Sequence, residues 1–309
     1  MCGGIENGAE TGAAHRIQPR RNTALSARRR PRYAGRMTEW KAFTVESKDR
    51  VAQVTLTGPG KGNAMGPDFW HELPLIFGEL DADPEVRAIV LTGSGKHFSY
   101  GLDLPAMSPL FGPLLGERAL AAPRTNFMRH IREMQAAVTA VADCRTPVIA
   151  AVSGWCIGGG LDLIAAVDVR LASAEAKFSL REAKVAIVAD IGSLHRLPGI
   201  IGEGHVRELA LTGKDIDAAR AEKIGLVNDV YPDQDAVLDA AHAMAREIAA
   251  NPPLVVQGIK DVLDQPKAGR VADGLRYVSA WNAAFLPSED LTEAIQSVFE
   301  KREPEFRGR

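Results

Sequence analysis

The chain of 309 residues predicts a mixed α/β fold of repeated strand–turn–helix units with a helical C-terminal region. Three observations carry that expectation: short apolar runs that end in glycine or proline turns, helical stretches that follow them, and an alanine-rich helical pattern after Pro232. From Phe43 the pattern is strand-like, with Val45, Val51, Val54 and Leu56, and Gly58-Pro-Gly60 supplies a turn. A helical stretch around Pro67-Asp-Phe-Trp-His-Glu72 and a strand at Ala88-Ile-Val-Leu91 follow. The unit recurs over Pro147–Val167, with a strand in Pro147-Val-Ile-Ala-Ala-Val152 and a helix in Leu161-Asp-Leu-Ile-Ala-Ala-Val167. Ala236 to Ala250 reads as a helix stopped by Asn251-Pro-Pro253. Two more helical stretches are expected near Leu254–Leu263 and Leu275–Phe285, and a last one over Leu291–Lys301.

The segment with the most chemical content is Cys156-Ile-Gly-Gly-Gly-Leu-Asp162, followed by Glu182 and Asp190. Glycines between a strand and a helix permit positive φ and let a ligand approach the backbone. The first N–H groups of the helix lack intrahelical partners and sit at the positive end of its dipole, so main chain alone can hold an anion or a developing oxyanion. Phosphate motifs do not fit: a dinucleotide fingerprint from Gly158 needs glycine at 163, where Leu163 stands, and no Gly-Lys-Ser/Thr follows. Close helix packing is the competing reading of the glycines. Each acid also has a structural reading: Asp162 as a first-turn acid, Glu182 as part of a charged surface with Arg181 and Lys184, Asp190 as the cap of a helix beginning at Ile191. Asp190, however, lies between Val185-Ala-Ile-Val-Ala189 and Ile191, where a carboxylate must find partners or take up a proton. One anion-binding turn followed by three acids is better explained as a single proton-moving site.

Several motifs then occur in a familiar order: Asp83-Pro-Glu-Val-Arg-Ala-Ile-Val-Leu-Thr-Gly93, Phe98-Ser-Tyr-Gly-Leu-Asp103, Pro147-Val-Ile-Ala-Ala-Val-Ser-Gly154, Leu211-Thr-Gly213 and Ala221-Glu-Lys-Ile-Gly-Leu-Val227. They resemble the crotonase (enoyl-CoA hydratase/isomerase) superfamily over essentially everything after Met37. Gly158-Gly-Gly-Leu-Asp162, Arg181-Glu182, Val188-Ala-Asp-Ile-Gly-Ser-Leu-His-Arg-Leu-Pro198 and Tyr277-Val-Ser-Ala-Trp-Asn282 resemble its Δ3,5-Δ2,4-dienoyl-CoA isomerase branch most. The resemblance implies a crotonase-like spiral of ββα units over residues 37–234 and a helical oligomerisation region over 235–309, assembling homotrimers or homohexamers. It implies oxyanion amides on Leu102 and Gly159, catalytic acids at Asp162, Glu182 and Asp190, and substrate contacts from Gly101, Asp103, Leu104 and Gly158. The apolar stretch Leu104 to Ala122 would help wall the acyl pocket, with core packing as its alternative. The substrate would be an acyl-CoA, coenzyme A being part of it, with no separate cofactor.

The expected reaction is conversion of 3,5-dienoyl-CoA to 2,4-dienoyl-CoA in fatty-acid β-oxidation. Hydratases of this family carry glutamate at the first acidic position and glycine at the third, whereas this chain has Asp162 and Asp190. An enoyl-CoA hydratase or monoenoyl-CoA isomerase is the alternative within the family, and a non-catalytic acyl-CoA-binding scaffold the alternative outside enzymes.

Other classes find little support. A formal charge of −2 offers no basic excess for nucleic acid. Cys2, Cys144 and Cys156 form no CxxC pair, and Cys156 reads as a packed core thiol because no partner base is identifiable. His71-Glu72 lacks a histidine at 75, and His195 and His205 stand apart from any ligand cluster, so no metal is expected. Ser153 lacks the flanking glycines of a nucleophile elbow. Val148 to Val167 is long enough to span a bilayer, but its glycine triplet and Asp162 argue for a buried strand and helix. Residues 1–36 hold eight arginines, no lysine and only Glu6 and Glu10 as acids, a formal +6. This stretch reads as a disordered or mis-called basic leader, with an organelle transit peptide as the second reading. With Phe306-Arg-Gly-Arg309 unlike a peroxisomal tripeptide, a cytoplasmic setting is the expectation.

Overall fold

The computed structural model describes residues 39–58, 62–115 and 121–308, and the basic leader over 1–36 lies outside them. Strands β1 (Phe43–Lys48) and β2 (Val51–Leu56) form an antiparallel hairpin whose turn residues Asp49 and Arg50 both have positive φ, 52° and 67°. That left-handed pair matches the twist of the flanking strands. Helix α1 (Pro67–Ala82) opens with proline at its first position, where the missing N–H costs nothing. Strand β3 (Ala88–Gly93) is buried along its whole length and pairs parallel with β2.

Two helices then precede the central strand: α2 (Leu104–Phe111), capped by Asp103, and α3 (Ala121–Ala142). The sequence reading leaves α3 unassigned, although Phe127, Ile131, Met134, Val138 and Val141 recur at helical spacing and are buried. At the glycine triplet the expected strand is β4 (Val148–Val152); a further short strand, β5 (Trp155–Ile157), intervenes before the turn, and the helix α4 runs over Gly159–Ile164 where Leu161–Val167 is expected. Next come β6 (Val169–Ser173), β7 (Lys177–Ser179), a single 3-10 turn over Glu182–Val185, and helices α5 (Ser193–Arg196), α6 (Pro198–Ile201) and α7 (Glu203–Thr212). Strand β8 (Asp215–Asp217), helix α8 (Ala218–Lys223) and strand β9 (Asp229–Tyr231) complete the spiral.

The larger sheet has the order β1-β2-β3-β4-β6-β9, parallel from β2 onward, and β5-β7-β8 form a smaller sheet beside it. Continuous apolar strands such as β3 and β4 are what parallel pairing under covering helices requires. One cover is α9 (Gln234–Ala250), whose Val237, Ala241, Ala245 and Ala249 pack on Val51, Ala88, Val90, Ile149, Ala151 and Leu171. Small residues at that spacing let the helix approach the sheet closely.

The chain continues into α10 (Pro253–Phe285) and α11 (Glu289–Glu300). Where two helical stretches are expected, α10 is one helix running through Pro266. Proline removes a single hydrogen bond and crowds the carbonyl four residues earlier. Val262, the residue bearing that carbonyl, is exposed, so water can serve the freed oxygen. Among the described residues no helix is long and apolar enough to cross a membrane.

Candidate active site

The glycine triplet forms the turn from β5 into α4, with Gly158 at φ 52°, ψ −116° as the residue before the helix. A second loop, Ser99 to Asp103, lies against it, and glycine is needed on both sides. A Cβ on Gly101 (φ 78°) would stand 2.6 Å from the Ile157 carbonyl oxygen and 3.0 Å from the Gly159 nitrogen. A Cβ on Gly159 would stand 2.9 Å from Met65 Sδ and 3.7 Å from the Leu102 nitrogen. The amides of Leu102 and Gly159 are thereby brought side by side, and neither has a partner among the described residues. Two adjacent unpaired N–H donors on residues that line a cavity make an oxyanion site.

A buried polar network fixes the Leu102 loop. The Gly101 amide donates to Ser99 Oγ at 3.0 Å, and Ser99 Oγ donates to the Asn63 carbonyl at 2.9 Å. The Met65 amide donates to the Gly101 carbonyl and the Asp103 amide to the Met65 carbonyl, which leaves the Leu102 amide between them free. Asp103 Oδ1 accepts from the Ala106 amide at 3.0 Å, so this side chain caps α2, while Leu104 lines the cavity.

The cavity, about 530 Å³, is apolar except at one wall. Trp70, Met107, Phe111, Phe127, Ile131, Met134 and Leu286 line it together with Leu102, Leu104, Gly158 and Gly159. Its polar wall contains all three acids singled out from sequence, Asp162, Glu182 and Asp190.

Their surroundings differ. Glu182 opens the 3-10 turn; Ala183 and Lys184 beside it are exposed, but its carboxylate points inward. Oε1 lies 3.3 Å from the place of a Cβ on Gly158, and Oε2 is enclosed with no hydrogen-bond partner. Burial pushes Glu182 up to about 8, and the Asp162 and Asp190 carboxylates add to the effect. Burial likewise pushes Asp190 up to about 7; Asp162 adds to this, while a 2.7 Å hydrogen bond from Asn282 Nδ2 to Oδ2 opposes it.

Asp162 is 1% exposed, and its Oδ1 accepts from the Ser193 amide at 2.6 Å. Burial raises its pKa, against the opposing effects of that bond and of Arg196. The expected capping role of Asp190 thus passes to Asp162: α5 begins at Ser193, and it is Asp162 that satisfies its first amide. Cys156 is a fully buried thiol raised well above its ordinary value by burial, in keeping with a packed core residue. Asn282, the last residue of the Tyr277–Asn282 motif, and Gln135 both contact the Asp190 segment, and the sequence assigns neither a role.

Two adjacent free amides, a carboxylate wall and an apolar cavity on a spiral of ββα units define an enzyme of the crotonase class. The family model described as enoyl-CoA hydratase/isomerase matches residues 46–309, and the chain belongs to this family. The chain is 43% identical over 276 residues to the mitochondrial Δ3,5-Δ2,4-dienoyl-CoA isomerase of Dictyostelium discoideum, covering 88% of this chain and 93% of the relative. It is 41% identical to the peroxisomal Δ3,5-Δ2,4-dienoyl-CoA isomerase of Arabidopsis thaliana, covering 83% and 92% respectively. Among solved structures, an enoyl-CoA hydratase/isomerase from Xanthobacter autotrophicus Py2 matches with a TM-score of 0.75 at 28% identity, covering 85% of this chain and 94% of the other. The mitochondrial and peroxisomal names of these relatives overturn the cytoplasmic expectation. That expectation rested on composition and on a missing tripeptide, and a catalytic fold carries no address of its own.

Proposed function

We propose that this protein converts 3,5-dienoyl-CoA thioesters to 2,4-dienoyl-CoA thioesters. The observation that carries the reading is the trio Asp162, Glu182 and Asp190 on one wall of an apolar cavity, beside the free amides of Leu102 and Gly159. The relatives named dienoyl-CoA isomerases support it. So does the state of Asp162: a buried carboxylate committed to the Ser193 amide is poorly placed to hold a reacting water, as hydration would require.

In this mechanism the thioester oxygen accepts from Leu102 and Gly159. Glu182, next to Gly158 and hence near the oxyanion, takes the proton from C2. The C2–H electron pair enters the chain, and charge spreads from the thioester oxygen to C6. Asp190 delivers a proton to C6, and the double bonds at C3–C4 and C5–C6 become C2–C3 and C4–C5. One carboxyl gains the proton that the other loses, so no redox cofactor or metal is called upon and coenzyme A enters only as part of the substrate. The proton-carrying groups have similar pKa values, about 8 and about 7, so moving the shared proton between them costs on the order of 1 kcal/mol. Burial sets that range, and the charge of Asp162 adds to both shifts.

The test is an ultraviolet assay of residues 37–309 with 3,5-octadienoyl-CoA and, separately, 2-octenoyl-CoA. The conjugated dienoyl band should grow with the first substrate and vanish in Asp190→Asn, which should bind acyl-CoA within about threefold of wild type because the acid acts in the transition state. Loss of the enoyl band alone would indicate a hydratase, and silence with both would point to binding without turnover. The exposed apolar residues of α10 further support assembly as a homotrimer or a homohexamer.

A further inference from the structure

The segment carrying Asp190 is held by two carboxamides from helices far away in the chain. Asn282 on α10, 1% exposed, donates from Nδ2 to the Val188 carbonyl at 2.8 Å and to Asp190 Oδ2 at 2.7 Å. Gln135 on α3 donates from Nε2 to the Asp190 carbonyl at 2.7 Å and to the Leu275 carbonyl at 3.1 Å. The Val188 carbonyl can only accept, and this determines which way the Asn282 amide faces: its NH₂ must point toward the acid. Main chain and side chain of Asp190 are therefore pinned from opposite partners, and the carboxylate is left with one oxygen free of Asn282.

We propose that Asn282 is a positioning residue of the reaction, aiming the Asp190 carboxylate into the cavity and making α10 part of the catalytic machinery. This rests on the reading of Asp190 as a proton carrier. A donor fixed on one oxygen limits rotation of the carboxyl and favours its ionised form. The charged groups around Asp190 are Asp162 from α4 and Glu182 from the 3-10 turn; Arg196 of α5 acts on Asp162 and donates to the Ile191 carbonyl at 3.4 Å. Helices α3 and α10 present the neutral Gln135 and Asn282 to it. A fixed dipole, with no added charge, is thus what α10 contributes.

The deciding experiment is the pH profile of kcat and KM for Asn282→Ala and for the isosteric Asn282→Asp, with Asp190→Asn in parallel and circular dichroism to confirm folding. Loss of the hydrogen bond that aims the carboxyl should lower kcat about 10- to 100-fold with KM within about threefold. Both limbs should move up, because the ionised form of Asp190 loses its donor and the two carboxyls titrate as a pair. Wild-type kcat, or a fall in kcat with both limbs unmoved, would overturn the positioning role. Turnover in Asp190→Asn would instead overturn the reading on which it rests. A dead Asp190→Asn beside unaffected Asn282 variants would remove this inference alone.

Discussion

Two carboxyls that titrate close together can act as base and acid only while they hold one proton between them. Burial raises Glu182 to about 8 and Asp190 to about 7, and Asp162 contributes to both shifts. Below about pH 7 both are protonated and no base remains; above about pH 8 both are ionised and no acid remains. The profile of kcat for the dienoyl substrate should therefore be a bell with its maximum between these values, its limbs belonging to the pair and not to either residue. Stopped assays between pH 5 and 10 would show it, and a profile flat from 5 to 7 would mean that the resting pair is not poised this way. Glu182→Gln should abolish the bell along with the activity. The acids themselves were legible in the sequence because carboxylates after a glycine turn and within an apolar run are chemically conspicuous. Their unequal roles were not: the Ser193 amide on Asp162 and the Asn282 amide on Asp190 span 31 and 92 residues of chain, distances over which no local pattern operates.

At the scale of elements, the oxyanion site depends on two loops whose contact excludes any side chain. Gly101 sits at φ 78° with the Ile157 carbonyl 2.6 Å from where a Cβ would be, so Gly101→Ala must separate the loops as well as strain its own backbone. Displacing one oxyanion donor typically costs about 100-fold or more in kcat. We expect Gly101→Ala to lose that much kcat while KM for the dienoyl-CoA changes little, and a variant within about threefold of wild-type kcat would show that the Leu102 amide does not serve the reaction. The glycine turn and strand β4 were readable from local pattern, as were β3 and α9. Strands β5 and β7 were not, being three residues each, too short for a period to register. Helix α10 was read as two because Pro266 interrupts its pattern and because the buried face is confined to its second half, at Leu275, Val278, Ser279, Asn282 and Ala283.

For the whole molecule, α10 joins a solvent-facing surface to the catalytic wall. On one side Tyr277, Trp281 and Phe285 form a row of mutually tilted rings at four-residue spacing, with ring centroids 6.3 and 4.6 Å apart, and remain exposed, as do Leu254, Val255, Val262 and Leu263. On the other side Asn282 reaches Asp190. Apolar surface of this extent on one helix calls for cover, and a second copy of the chain would supply it. Covering the helix would also restrain the carboxamide that holds the acid, so assembly and turnover should be coupled. Sedimentation at micromolar concentration should give three or six times the 33.2 kDa chain mass. Val262→Glu, in the half of α10 remote from the cavity, should lower the assembly state by placing a charge in the contact, and reduce kcat about tenfold or more with the loss of the helix restraint. A wild-type chain that sediments as a single copy, fully active, would separate the work of α10 at the active site from any role in assembly.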